Sequence, residues 1–248
     1  MAFVNSRTHS NDTSAWAQPV ERLVVDGVPS GAVNLNVSGR ELTGPIRGFG
    51  QLWRKTYQAR LSGVSPREVM RAWKQNFQRF WPQGNYFYGA VEGIQPGDVA
   101  VLNLMQHRLG PPLISTGVYV IYADDESFSF MTPQGHMFAG LIKFSAFAEG
   151  EQTVAQVQAF VRANDPLYEL SFRLHVGHSI EDSFWKTTLS NLAAHFHHNV
   201  NVSKAAVCLD PRLQWREARN IWQNAAIRTG LHTIRVAFRR GIRRLQKI

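Results

Sequence analysis

Residues 114–147 read ISTGVYVIYADDESFSFMTPQGHMFAGLIKFSAF. Their β-branched and aromatic runs are interrupted by Asp124-Asp125-Glu126 and Pro133-Gln134-Gly135, which are turn chemistries and not helix interiors. The stretch predicts consecutive β-strands joined by tight turns. In its last piece Ile142, Phe144 and Ala146 alternate with Lys143 and Ser145, and beyond it Ala155, Val157, Ala159 and Val161 alternate with Gln156 and Gln158. A period of two gives one apolar and one wetter face, as in a curved antiparallel sheet covered on a single side. Parity is weakest over 119–122, where both faces are apolar.

The cover for that sheet follows it. Asp165 can cap free amides, and Pro166 suits the first helical position, where its missing N–H is not required. From there Leu167, Leu170 and Leu174, then Ile180, Phe184, Leu189, Leu192 and Phe196, recur at helical spacing. Gly177 interrupts the run, and Ser179 with Asp182 forms a second capping signal, so a kink or break is expected near Gly177.

Upstream, residues 20–48 alternate apolar and polar side chains among glycines and predict short strands or extended segments at the domain edge. Over 49–61, Trp53, Tyr57, Ala59 and Leu61 share one parity, as does Lys55. A lysine on the buried parity has two readings. Its ammonium can snorkel out at the sheet edge, the favoured one, or it can stand inside a cavity and meet a ligand carboxylate. Ser65-Pro66-Arg67-Glu68 is a capping box that opens a helix with Val69, Met70, Trp73, Phe77 and Phe80 on one face, ending before Pro82. Strands are expected over 86–92 and 99–105. No GxxxxGK[ST] or GxGxxG element occurs, which removes the common nucleotide-binding routes.

Composition bounds the rest. At 248 residues, 44% hydrophobic and 18% charged, the chain has the balance of a globular protein and is long enough to bury a large core. The single cysteine, Cys208, excludes an internal disulfide and any multi-cysteine zinc site, and it fits a reducing, cytosolic location. No transmembrane run is present, and MAFVNSRTHSNDTSA lacks the apolar core of a secretory signal and reads as a mobile tail.

One strand, a helix, a run of strands and a long helix follow in that order. With the FSFMTPQGHMFAG segment and the DPLYEL helix start, this resembles the START-like or SRPBCC superfamily, in an uncharacterised branch. The resemblance implies an α+β helix-grip fold (START/Bet v-like) over 49–198: a strongly curved antiparallel sheet wrapped around a long C-terminal helix. Residues 1–48 would then be a partly disordered extension and 199–248 a helical basic tail. It also implies an apolar cavity between sheet and helix, used in relatives to bind lipids, sterols, polyketides or other hydrophobic molecules. Strand parity assigns Trp53, Tyr57, Phe130, Ile142, Phe144 and Val157 to its lining, with Lys55 and His136 as polar contacts.

No catalytic signature accompanies the cavity. Ser179, Glu181, His175 and His178 lie close in sequence, yet no GxSxG frames a serine. His195, His197 and His198 fit a helix end better than a metal site, and no cofactor is implied. The net charge of +9 is concentrated after Glu217, where eight Arg and Lys and no acid occur, leaving +1 for the rest. There Ile227, Leu231, Ile234, Phe238, Ile242 and Leu245 form an apolar stripe, with Arg235, Arg239 and Arg243 beside it. Such a helix can lie on an anionic membrane, pack on the domain or pair with a second subunit. The favoured function is non-catalytic binding of a hydrophobic small molecule. A cyclase-, hydratase- or hydrolase-like enzyme and a peripheral membrane or interaction protein are the alternatives, and nucleic-acid binding is disfavoured because no aromatic platform accompanies the charge.

Overall fold

The computed structural model describes residues 13–25, 27–28, 30–90, 93–106, 110–174 and 176–245, without the side chains of 240, 241 and 243–245. The expected mobile tail therefore falls mostly outside the described residues, as do His175 and the side chains of Arg243 and Leu245. The strands are β1 (Leu52–Ser62), β2 (Tyr86–Tyr88), β3 (Val99–Leu104), β4 (Ile114–Ala123), β5 (Ser127–Met131), β6 (Phe138–Glu149), β7 (Gln152–Ala163) and β8 (Ser203–Asp210). The helices are α1 (Pro66–Gln75), α2 (Pro166–Arg173), α3 (Val176–His195) and α4 (Ala225–Leu245). All eight strands form one antiparallel sheet in the order β2-β3-β4-β5-β6-β7-β1-β8.

The stretch 114–147 folds as β4, β5 and most of β6, with Asp124 closing the first turn by accepting from the amides of Glu126 and Ser127 at 2.8 and 2.7 Å. Ladder irregularities at Leu52/Trp53 and Val120/Tyr122 add local bend. The concave face then holds α1 and α3: Phe144, Val157, Leu189 and Leu192 share one core. This is a helix-grip fold. The doubly buried β4 has its explanation on the other face, where Val101 and Tyr119 pack with Leu23 and Val37 of the N-terminal segment. That segment lies extended on the outer face of β3 and β4 and not at the sheet edge, with isolated bridges at Trp16–Tyr122 and Leu42–Pro133.

Two differences from the sequence reading matter for the site. First, the sheet continues past the expected boundary at 198, because β8 pairs with β1. β1 is consequently an interior strand, and Lys55 is 2% exposed and does not snorkel at an edge. Second, α2 ends at Arg173 and α3 starts at Val176, so the break expected near Gly177 is present but the second helix begins ahead of Ser179. Ser179 and Asp182 therefore sit inside α3 and cap nothing. Gly177 serves packing: a Cβ there would come within 2.3 Å of the Phe172 ring. The histidines at the end of α3 form its stop. His197 takes a left-handed conformation (φ 61°), while the amides of His198 and His197 donate to the carbonyls of Ala193 and Ala194.

Asp165 joins the cover to the tail. Its Oδ1 accepts from the amides of Leu167 and Tyr168 at the start of α2, and its Oδ2 accepts from Asn224 Nδ2 at 2.9 Å. Both residues are fully buried. Asp165→Ala removes a helix cap and strands a buried amide, so a loss of about 2 to 4 kcal/mol is expected in urea denaturation, against about 1 to 3 kcal/mol for Asp165→Asn, which keeps the capping oxygen but turns an NH2 toward the Asn224 NH2.

Candidate ligand cavity

The aromatic residues that follow α1 decide where space remains. Phe77 meets Phe128, Phe130 and Phe144 with ring centroids at 5.4, 5.4 and 5.2 Å, and Trp73 adds contacts to Phe128 and Phe144. This cluster fills one half of the concave face. In the other half a cavity of about 530 Å³ remains. Leu102, Leu104, Ile114, Val118, Phe130, Ile142, Ala159 and Val161 form its sheet wall, and Tyr168, Phe172, Ile180, Phe184 and Trp185 its helical wall. Volume and lining suit a small hydrophobic molecule.

Three of the residues expected from the sequence, Phe130, Ile142 and His136, line this cavity. Tyr57, Phe144 and Val157 do not. They are 0% exposed within the filled half, because parity reports which face a side chain takes and not whether another element already occupies the space. Trp53 and Lys55 line a second, smaller cavity of about 350 Å³, with Phe138, Phe172, His178 and Glu181 among their companions. Phe138 and Phe172, stacked at 5.1 Å, stand with Val161 and Glu181 between the two spaces.

His136 is placed by the turn before β6. Gly135 has φ +85°, and a Cβ there would come within 2.0 Å of the Gln223 carbonyl oxygen, so only glycine lets this turn meet the segment leading into α4. The imidazole is 7% exposed, and its Nδ1 lies 3.0 Å from the Phe138 amide nitrogen. Burial pushes its pKa down to about 4, the hydrogen bonding at Phe138 opposing only in part. Nδ1 also lies 3.2 Å from the Phe138 carbonyl oxygen: in one neutral tautomer it accepts from the amide, in the other it donates to the carbonyl.

Lys55 and Glu181 form the second polar feature. Lys55 Nζ lies 2.5 Å from Glu181 Oε2, 2.9 Å from His178 Nδ1 and 3.6 Å from Asp182 Oδ1, with Lys55 and Glu181 side chains 2% and 5% exposed. An ammonium can only donate, so Nδ1 of His178 accepts. Burial raises the Glu181 pKa, against the pull of Lys55. Asp182 ends below the usual carboxylate range: burial pushes it up, but hydrogen bonds from Lys204 and from Tyr57, the latter at 2.7 Å, outweigh that. Tyr57 is driven up by burial and by the two carboxylates. Glu181 lines both cavities; the sequence reading named it only in the discarded constellation with Ser179, His175 and His178, although helical spacing puts it on one face with Trp185, Thr188 and Leu192, opposite a lysine on the buried parity of β1.

Among the described residues no group of three His, Cys, Asp or Glu converges as a metal site. No protein-family model matches the chain, and no curated protein matches it. Solved structures similar to it include a START superfamily protein from Mycobacterium smegmatis, at 18% identity and a TM-score of 0.39 over 60% of this chain and 98% of that one. Major latex-like protein 151 from Panax ginseng is similar at 17% identity and a TM-score of 0.34, over 54% and 99%. The di-domain ARO/CYC StfQ from the steffimycin biosynthetic pathway is similar at 10% and 0.43, over 57% and 50%. All three likenesses are ones of fold.

Two outcomes follow from the polar groups. The folded-state pKa of His136 lies below its unfolded value, so its contribution to stability is present above about pH 6.5 and is lost as pH falls toward 4. It amounts to about 3 kcal/mol, and the difference between wild type and His136→Gln in urea titrations across that window isolates it. Glu181→Ala leaves the Lys55 ammonium buried without its nearest partner and costs about 3 to 5 kcal/mol, while Lys55→Met with Glu181→Leu recovers most of that loss; a double-variant loss equal to the sum of the Lys55→Met and Glu181→Leu losses would mean that the pair is not coupled.

Proposed function

We propose that this protein binds a hydrophobic small molecule, of lipid, polyketide or aromatic class, without transforming it. The observation that carries the proposal is the cavity of about 530 Å³ between the sheet and α2–α3, walled by aliphatic and aromatic side chains. On its wall, His136 offers an imidazole held neutral at physiological pH, which fits a ligand carbonyl or hydroxyl group better than a charged one. The lining residues Trp81 and Trp185 provide an internal reporter of occupancy.

A catalytic reading is supported by one feature, the placement of Glu181 in the wall with Oε2 tied to Lys55 while Oε1 has no partner among the described residues. Proton transfer would need such a group at the reacting atom. If it occurs, Glu181→Gln abolishes turnover of the bound compound and leaves its binding intact; unchanged turnover removes this reading.

Native mass spectrometry and solvent extraction of the purified protein test the binding reading directly, with a retained hydrophobic compound as the expected result. A titration with 8-anilinonaphthalene-1-sulfonate gives the matching solution measurement. Ile142→Trp fills the cavity from β6 and is expected to weaken the probe at least about tenfold at unchanged near-ultraviolet circular dichroism. Equal affinity in wild type and Ile142→Trp would place the probe elsewhere and count against this cavity.

A further inference from the structure

Among the described residues, the hydrogen bonds that fasten α4 to the domain lie at its root. Asn224, Ala225 and Thr229 are at most 1% exposed: the Ala225 amide donates to the Gly135 carbonyl at 2.9 Å, the Ala226 amide to the Tyr168 hydroxyl at 3.2 Å, and the Ser115 amide to Thr229 Oγ1 at 3.0 Å. Beyond Thr229 the helix presents its apolar stripe to solvent, with Leu231, Ile234 and Phe238 at 63%, 68% and 71% exposure. Arg235 and Arg239 are exposed beside it, and the sequence has no acid after Glu217. A surface that fits must bury apolar side chains and supply negative charge along their flanks. A second copy stripe to stripe brings arginines against arginines, which disfavours it. An anionic bilayer supplies both.

A second exposed apolar group lies on and just beyond α2, the helix whose Tyr168 receives that root. Leu170, Leu174 and Val176 at the corner between α2 and α3 are 53%, 65% and 55% exposed, and α2 also carries the cavity residues Tyr168 and Phe172. Among the described residues no helix is long and apolar enough to cross a membrane, so contact with a bilayer would be at its surface.

We propose that α4 docks on an anionic membrane surface, and that its root, tied to the walls of the cavity, brings the α2–α3 corner to the same bilayer. Membrane docking needs no cavity ligand, so it stands or falls separately from ligand binding. The full chain is tested by flotation with phosphatidylcholine vesicles, with and without about 30% phosphatidylglycerol, at about 0.1 M and about 0.5 M salt. Binding is expected only with phosphatidylglycerol and is expected to weaken at the higher salt. Leu231→Glu with Phe238→Glu, and separately Arg235→Glu with Arg239→Glu, are each expected to reduce it by more than about tenfold, with unchanged melting temperature and probe binding in the cavity. Leu174→Glu, far from α4 in sequence, is expected to reduce it several-fold. Absence of vesicle binding, or equal binding to neutral vesicles, overturns the membrane surface as the partner. A dimer in sedimentation velocity that Leu231→Glu with Phe238→Glu dissociates, without vesicle binding, overturns it in favour of a second copy. An unchanged Leu174→Glu overturns the part played by the corner.

Discussion

The contact between Lys55 and Glu181 constrains the rest of the site. A lysine on the inner parity of an interior strand has no route to water, and an unpaired ammonium there would cost several kcal/mol. Among the described residues α3 answers it, Glu181 with Asp182 from its second turn. The pair therefore fixes how far α3 is rolled about its axis over β1. With the roll fixed, Leu189 and Leu192 fall toward the aromatic cluster, Ile180 and Phe184 fall toward the cavity, and Trp185 touches both.

The cavity is a consequence of unequal filling. A bent sheet encloses more volume than one helix can occupy, and in this protein the surplus is taken up asymmetrically. Trp73 and Phe77 insert large rings under β5 and β6, where Phe128 and Phe144 stack at 4.6 Å. Nothing of comparable size comes from α2, whose Tyr168 and Phe172 stand at the wall. The helical break before Val176 is part of this arrangement, since Gly177 lets Phe172 lie over the first turn of α3 and close the partition with Phe138.

Much of the fold was legible because its signals are local. Turn chemistry at 124–126 and 133–135, the capping box at Ser65 and the Asp165-Pro166 start each act within a few residues and were read correctly. β8 was missed for a physical reason: SKAAVCLD is short and largely exposed on both faces, so pairing with β1 leaves little periodic trace. The site was half legible. Parity placed Phe130 and Ile142 on the inner face, where the cavity is, but the same parity sent Phe144 and Val157 into packed core, because the rings that fill that half come from a helix more than fifty residues earlier. Lys55 was read as snorkelling at a sheet edge, which fails because β8 makes β1 an interior strand and α3 supplies a buried partner.

The attachment of α4 has a mechanical consequence. The helix has 21 residues, which at 1.5 Å each is about 31 Å, and it is anchored over roughly its first turn of about 5 Å. A sideways load at the far end is thus multiplied roughly sixfold at the anchor. The hydrogen bonds that carry the load are those from Ala225 to Gly135 and from Ala226 to Tyr168, one beside the imidazole of His136 and the other on a side chain of the cavity wall. The helix is accordingly a lever whose fulcrum is the cavity itself.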